Sequence, residues 1–165
     1  MADRALSQEI ELLLRILDES FTGKGWHGPT LLGSLRGLRP ADAAWRPGRG
    51  RHSIWELVLH AAYWKYAVRR RLVGGRRGAF PRAGSNWPPA PAEPSARRWR
   101  EDVALLREEH QRLRDAVRAL SPTRLRRRVA GSPWDHGALI YGVAAHDAYH
   151  TGQIQLLKRL GAQAR

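Results

Sequence analysis

The sequence predicts an all-α protein, a four-helix bundle with long crossover connections, forming one domain over residues 1–165. Three observations carry that expectation. Four stretches repeat apolar residues at the helical period, no stretch alternates as a strand should, and two of the connections are far longer than tight turns.

The first helix runs from about Ala5 to Ser20, with Leu6, Ile10, Leu13, Leu14 and Leu17 at helical spacing. Gly23 and Gly25 end it. The connection that follows holds Pro29-Thr30-Leu31-Leu32-Gly33-Ser34-Leu35, which predicts a short extra helix, and Ala41-Asp42-Ala43-Ala44-Trp45, which predicts another turn. The second helix begins after Ser53, an N-cap that forms a capping box with Glu56. Ile54, Leu57, Val58, Ala61, Trp64, Val68 and Leu72 mark its buried face, and Gly74-Gly75 stops it. Pro81 to Pro94 reads as an extended crossover, because proline removes backbone donors and fixes φ. The third helix starts near Ser95 and carries Trp99, Val103, Leu106, His110, Leu113, Val117 and Leu120 before Ser121-Pro122 closes it. The fourth runs from about Gly137 to Leu160, with Leu139, Val143, His146, Tyr149, His150, Gln153, Leu157 and Leu160 on one stripe. Gly161 stands where a left-handed residue commonly ends a helix.

Composition narrows the function classes. The chain has no cysteine, so disulfides and thiolate metal ligands are excluded. No apolar run approaches the roughly 20 residues that span a membrane, and the N-terminus shows no signal-peptide pattern. A cytoplasmic protein is expected. The net charge is +14, nearly all of it from arginine in clusters such as Arg69-Arg70-Arg71, Arg76-Arg77, Arg97-Arg98 and Arg126-Arg127-Arg128. Such charge attracts anions. The clusters are scattered and no nucleic-acid-binding motif accompanies them, so nucleic-acid binding is expected to be non-specific at most. A small-molecule substrate is the expected partner, and a homodimer is allowed, since the sequence does not fix the oligomeric state.

The residues that carry chemistry are histidines. His146 and His150 are spaced i, i+4, which puts both rings on one face of a helix, one turn apart. His60 lies on or beside the apolar stripe of the second helix. Three imidazoles that face each other in a core need a partner, and a divalent metal supplies one; three protein nitrogens leave an open position, as catalytic sites do. A single histidine on an apolar face is more often a core residue hydrogen-bonded to backbone or to a carboxylate; the i, i+4 pair and the third core-facing ring carry the metal reading. Glu56, one turn before His60, has two readings, a group that orients that ring or simply half of the capping box. Gln153 is placed to bind a metal-bound water or substrate, or to make an interhelical hydrogen bond. Trp26 and His27 lie in a loop and have two readings, pocket residues at an end of the bundle or simple anchors of the connection; their spacing does not choose between them. Asp147 is expected on the bundle's flank, Tyr149 in the core, and His110 at the core's edge or exposed. Of the tryptophans, Trp55, Trp64 and Trp99 read as core, while Trp26, Trp45, Trp87 and Trp134 anchor connections or line a pocket mouth.

Taken together, these residues resemble a known family. His52-Ser53-Ile54-Trp55-Glu56-Leu57-Val58-Leu59-His60 is similar to the second-helix motif of the DinB-like (damage-inducible, YfiT-like) metalloproteins. His146-Asp147-Ala148-Tyr149-His150-Thr151-Gly152-Gln153-Ile154 is similar to their C-terminal motif, and Trp26-His27-Gly28-Pro29 and Ala44-Trp45-Arg46-Pro47 to their first connection. The resemblance implies a four-helix bundle of unusual connectivity with a divalent transition metal, zinc, nickel or similar, on His60, His146 and His150. It implies less about reaction: some relatives are thiol S-transferases or isomerases that use a low-molecular-weight thiol cosubstrate. The expected function is therefore a metal-dependent enzyme of the thiol S-transferase or hydrolase type. The alternative is a non-catalytic metal-binding stress-response module with a basic surface that attracts polyanions.

Overall fold

A computed structural model describes residues 7–74 and 78–164. It is all-α: α1 (Gln8–Phe21), α2 (Leu31–Ser34), α3 (Pro40–Ala44), α4 (Ile54–Val73), α5 (Ala96–Arg118), α6 (Pro122–Leu125) and α7 (His136–Gln163). Ala5 and Leu6, expected to open the first helix, and the Arg76-Arg77 pair lie outside the described residues. The long helices start where side chains satisfy otherwise unpaired backbone N–H groups. Ser7, Ser53, Ser95 and Asp135 are the N-caps of α1, α4, α5 and α7, and Ser53 with Glu56 closes the expected capping box. Gly74, at φ 65°, ends α4 in the left-handed region that glycine enters without steric cost.

The four long helices pack pairwise, α4 on α5 and α7, and α1 on the same two partners. Their directions follow from cross-helix contacts. Trp55 meets Asp102 and Arg69 meets Glu109, so α4 and α5 run parallel. Phe21 stacks on His110 while Asp18 reaches Arg114, so α1 and α5 run antiparallel. Two parallel neighbours cannot be joined by a tight turn, which is why the chain needs the long segment between α4 and α5. The connection between α1 and α4 is long for a related reason: α1 and α4 share both partners and lie across the packing from each other.

The core has two apolar parts. One gathers Phe21, Trp55, Val58, Leu106 and Ile154, the other Ile10, Leu14, Leu72, Leu113 and Ile140. A buried polar layer lies between them along the helices. There Lys65 and Asp147, both 0% exposed, form an ion pair between α4 and α7. Lys65 Nζ also sits 4.8 Å from the centre of the Phe21 ring, and Phe21 stacks on the buried ring of His110 at 3.8 Å.

This layer corrects two expectations. Asp147 does not face the flank, because the buried stripe of α7 runs through Ile140, Val143, Ala144, Asp147, His150, Thr151 and Ile154, with Asp147 near its middle. Tyr149, expected in the core, is 65% exposed for the same reason. His110 is buried rather than at the edge. Gly161 does not end α7, which continues to Gln163; a Cβ at Gly161 would meet the ring of Trp45 at 3.2 Å, so the glycine lets that indole lie on the helix. The short α6 is an element that the sequence reading did not anticipate.

A buried charge without its partner is costly, whereas replacing both members of a pair with apolar groups need not be. Lys65→Met should therefore lower unfolding free energy by about 3–5 kcal/mol, and Lys65→Met with Asp147→Leu should recover most of that loss. Urea melts of the metal-free proteins measure both; equal losses in the single and double variants would contradict the pairing.

Candidate metal centre

The centre is built where α4 and α7 cross. His60 comes from α4, and His146 and His150 come from successive turns of α7. The Nε2 atom of His146 lies 3.0 Å from Nε2 of His60 and 2.9 Å from Nε2 of His150. One ligand atom from each of the three can be chosen so that all lie within 4.8 Å of one another, and among the described residues this is the group of three or more His, Asp or Glu side chains placed to hold an ion.

The outer nitrogens fix which way two of these rings present their lone pairs. His60 Nδ1 lies 2.5 Å from the carbonyl oxygen of Asn86, which can only accept, so Nδ1 carries the proton and Nε2 offers its lone pair to the centre. His150 Nδ1 lies 2.6 Å from Gln153 Oε1 and is set the same way. Two lone pairs thus point at His146 Nε2, which can give a proton to only one of them. A cation at the centre would satisfy all three nitrogens at once. Tetrahedral imidazole ligands at about 2.0–2.1 Å from an ion stand roughly 3.3 Å apart, so on loading His146 Nε2 would move away from each of the other two nitrogens by only a few tenths of an ångström. The donor set fits a divalent transition metal. His146 differs from its neighbours: its Nδ1 is buried with no hydrogen-bond partner, and ring packing orients it.

The crossover between α4 and α5 completes the wall. Trp87 lies flat between two imidazoles, 3.7 Å from His60 and 3.7 Å from His52. Asn86 before it has φ 62°, and Trp87 N donates to Ser85 O at 2.6 Å, a γ-turn with the uncommon positive φ. Asparagine tolerates that region better than most residues. The turn aims the Asn86 carbonyl at His60 while its side-chain oxygen accepts from Trp64 Nε1 at 2.8 Å. Asn86 was absent from the sequence-derived candidates; a strained turn inside a Pro-rich run leaves no periodic signal.

The other candidates divide. Gln153 holds His150 directly. Glu56 takes its cap role: its carboxylate accepts from Ser53 N at 2.9 Å and from Arg46 at 2.6 Å, and makes no hydrogen bond to His60. Trp26 is 100% exposed and His27 is exposed; neither lines the cleft beside the triad. That cleft, of about 510 Å3, runs between α4 and α7 from His60 and His146 towards Arg71 and Trp134.

Electrostatics favour neutral rings. Burial pushes His60 down to about 4, against the pull of the Asn86 carbonyl, with the His150 and His52 charges lowering it further. Burial also pushes His146 down to about 3, helped by His150 and His60, and lowers His150. Metal ligation needs the neutral form, which these sites hold ready.

The sequence profile of the DinB superfamily matches residues 26–154, and the chain belongs to that superfamily. No curated protein and no solved structure matches it significantly.

The lowered values have a consequence for stability. In the unfolded chain a histidine titrates near 6.5, so between about 6.5 and 4 the unfolded state takes protons that His60 and His146 refuse in the fold. His110, pushed to about 2 by burial and by the Lys65 and Arg114 charges, acts in the same direction. Stability is therefore present above pH 6.5 and lost as pH falls through that window. Urea midpoints of the metal-free protein at pH 7.5 and pH 5 should show the lower value at pH 5. A higher midpoint at pH 5 would mean that these rings hold protons in the folded state.

Proposed function

We propose that this chain is a metal-dependent enzyme that holds one divalent ion on His60, His146 and His150 and acts on a small molecule in the adjoining cleft, by thiol transfer in preference to hydrolysis. The observation that carries the reading is the convergence of the three Nε2 atoms at one end of an open cleft. Three ligands leave coordination positions free, and a bound ion would supply the Lewis acidity that keeps a thiol or a water deprotonated near neutral pH.

What the chain's own carboxylates do separates the two chemistries. Free water has a pKa of about 15.7 and a free thiol one of about 8.5, so hydrolysis asks more of the ion and gains more from a general base beside the attacking water. Glu56 is held by Ser53 and Arg46, and Asp135 caps α7 through Ala138 N at 2.7 Å. Asp147 is paired with buried Lys65. None of these three is free to accept a proton from a water at the triad. A thiol needs no such base once its proton is acidic enough to leave to solvent. Trp87 and Trp64 flank the triad and shield one side from water. A low-molecular-weight thiol is accordingly the proposed cosubstrate.

The polyanion-binding module finds less support, because many arginines are already engaged: Arg46 with Glu56, Arg82 with Asp102, Arg114 with Asp18 and Arg126 with Glu9. No helix among the described residues is long and apolar enough to cross a membrane.

Cobalt titration of untagged, metal-free protein tests the proposal. One equivalent should bind, and a small thiol should then add a sulfur-to-cobalt charge-transfer band. His150→Ala should lose that band together with the metal, and Arg126→Ala should keep it. A cobalt protein indifferent to thiols and other small anions would favour the non-catalytic module.

A further inference from the structure

The cleft beside the triad has a chemical polarity of its own. From α4 it takes Trp64, Val68 and Arg71, one face of the helix at i, i+4 and i+7. From α7 it takes Leu139, Gly142 and Val143 among others. Its size falls in the range of about 300–1,000 Å3 usual for small-molecule sites. Arg71 is the one side chain with a fixed charge among the described residues that line it, and no acidic residue lines it. The guanidinium folds back over the cleft, its Cζ 6.0 Å from the centre of the Trp64 ring, and Trp64 in turn lies 6.2 Å from the His146 ring. No carboxylate among the described residues pairs with Arg71, although many other arginines of this chain are paired.

Gly142 adds an independent observation. Glycine in the middle of a helix costs about 1 kcal/mol relative to alanine, and α7 carries it without a positive φ. A Cβ at Gly142 would meet nothing within 4 Å, so no neighbouring backbone requires the glycine. It opens onto the cleft and keeps that wall low.

We propose that the cleft between α4 and α7 binds an amphipathic monoanion, an apolar chain or ring bearing one carboxylate, with the carboxylate on Arg71 and the opposite end at the histidine triad. The apolar body lies against Trp64, Val68, Leu139 and Val143, where burial of nonpolar surface supplies the affinity. Arg71 supplies orientation through a charge-assisted, two-pronged hydrogen bond. That the end at the triad is the reacting end rests on the reading of the triad as a catalytic metal site; the binding itself does not.

Calorimetric titration of the full chain with decanoate and with neutral decanamide, with and without zinc, tests this. Wild-type protein should bind decanoate at least about tenfold more tightly than decanamide in both states, as expected for one charge-assisted contact. Arg71→Gln should remove that preference and leave decanamide affinity unchanged, whereas Arg159→Gln, on the exposed end of α7, should preserve it. Gly142→Leu should fill the cleft and weaken both ligands at least about tenfold while zinc uptake and folding persist. In the zinc-free protein decanoate should also shift the ring resonances of His146. The proposal fails if the preference survives Arg71→Gln, as it would were the carboxylate on the metal or on the general basic surface. It fails equally if Gly142→Leu binds both ligands normally or if His146 does not respond. Absence of zinc uptake alongside an Arg71-dependent preference would overturn the metal reading and leave the cleft assignment standing.

Discussion

The structure depends on a layer of polar side chains buried between two apolar cores. Helices α4 and α7 contribute Lys65 and Asp147 to it, and the histidine triad lies alongside. Buried charge is tolerated only when paired, so Lys65 must meet Asp147. Asp147 stands between His146 and His150 in sequence, and Lys65 lies five residues after His60. The contact that satisfies the ion pair therefore fixes the relative register of the two helices that carry the ligands. A slip of either helix would strand a charge as well as separate the nitrogens. Burial pushes the Asp147 carboxyl above its ordinary range while Lys65 pulls it down. The pair is thus as exacting a constraint on geometry as the apolar packing around it.

Connectivity serves the same end. Parallel packing of α4 and α5 obliges the chain to return along the bundle, and that return passes the mouth of the site. It deposits Trp87 on the His60 ring and the Asn86 carbonyl on His60 Nδ1. The strained turn at Asn86 is held from both sides, by His60 and by Trp64. Strained backbone persists where surrounding contacts over-determine it, and such places concentrate at functional sites. The outer wall of the centre is thus supplied by a segment with no regular structure.

Much of this was legible in the sequence. Helical periodicity, the Ser53–Glu56 capping box and Gly74 located the elements, and the i, i+4 histidines with His60 located the triad. What escaped did so for physical reasons. Asp147 looked like a surface residue because an isolated carboxylate belongs in water, and the compensating Lys65 lies far away in sequence, itself resembling a surface residue. Tyr149 reads as core on the strength of its apolar body, yet the buried stripe of α7 runs through Asp147, His150 and Thr151 and leaves it outside. Gly161 resembled a helix terminator, since glycine serves both at left-handed ends and at close approaches, and only the indole of Trp45 distinguishes them. Arg71 was one of a cluster of three and carried no mark of its own until the cleft put Trp64 beneath it.

The central claim is that three imidazoles, and no other protein groups, hold one divalent ion with exchangeable positions remaining. X-ray absorption at the zinc edge, on protein loaded with one equivalent, measures this most directly. The account predicts three histidine nitrogens at about 2.0–2.1 Å, with the rest of the shell light atoms that a small thiol replaces by sulfur. A shell closed by four protein ligands, or one dominated by carboxylate oxygens with fewer than three imidazoles, would contradict it.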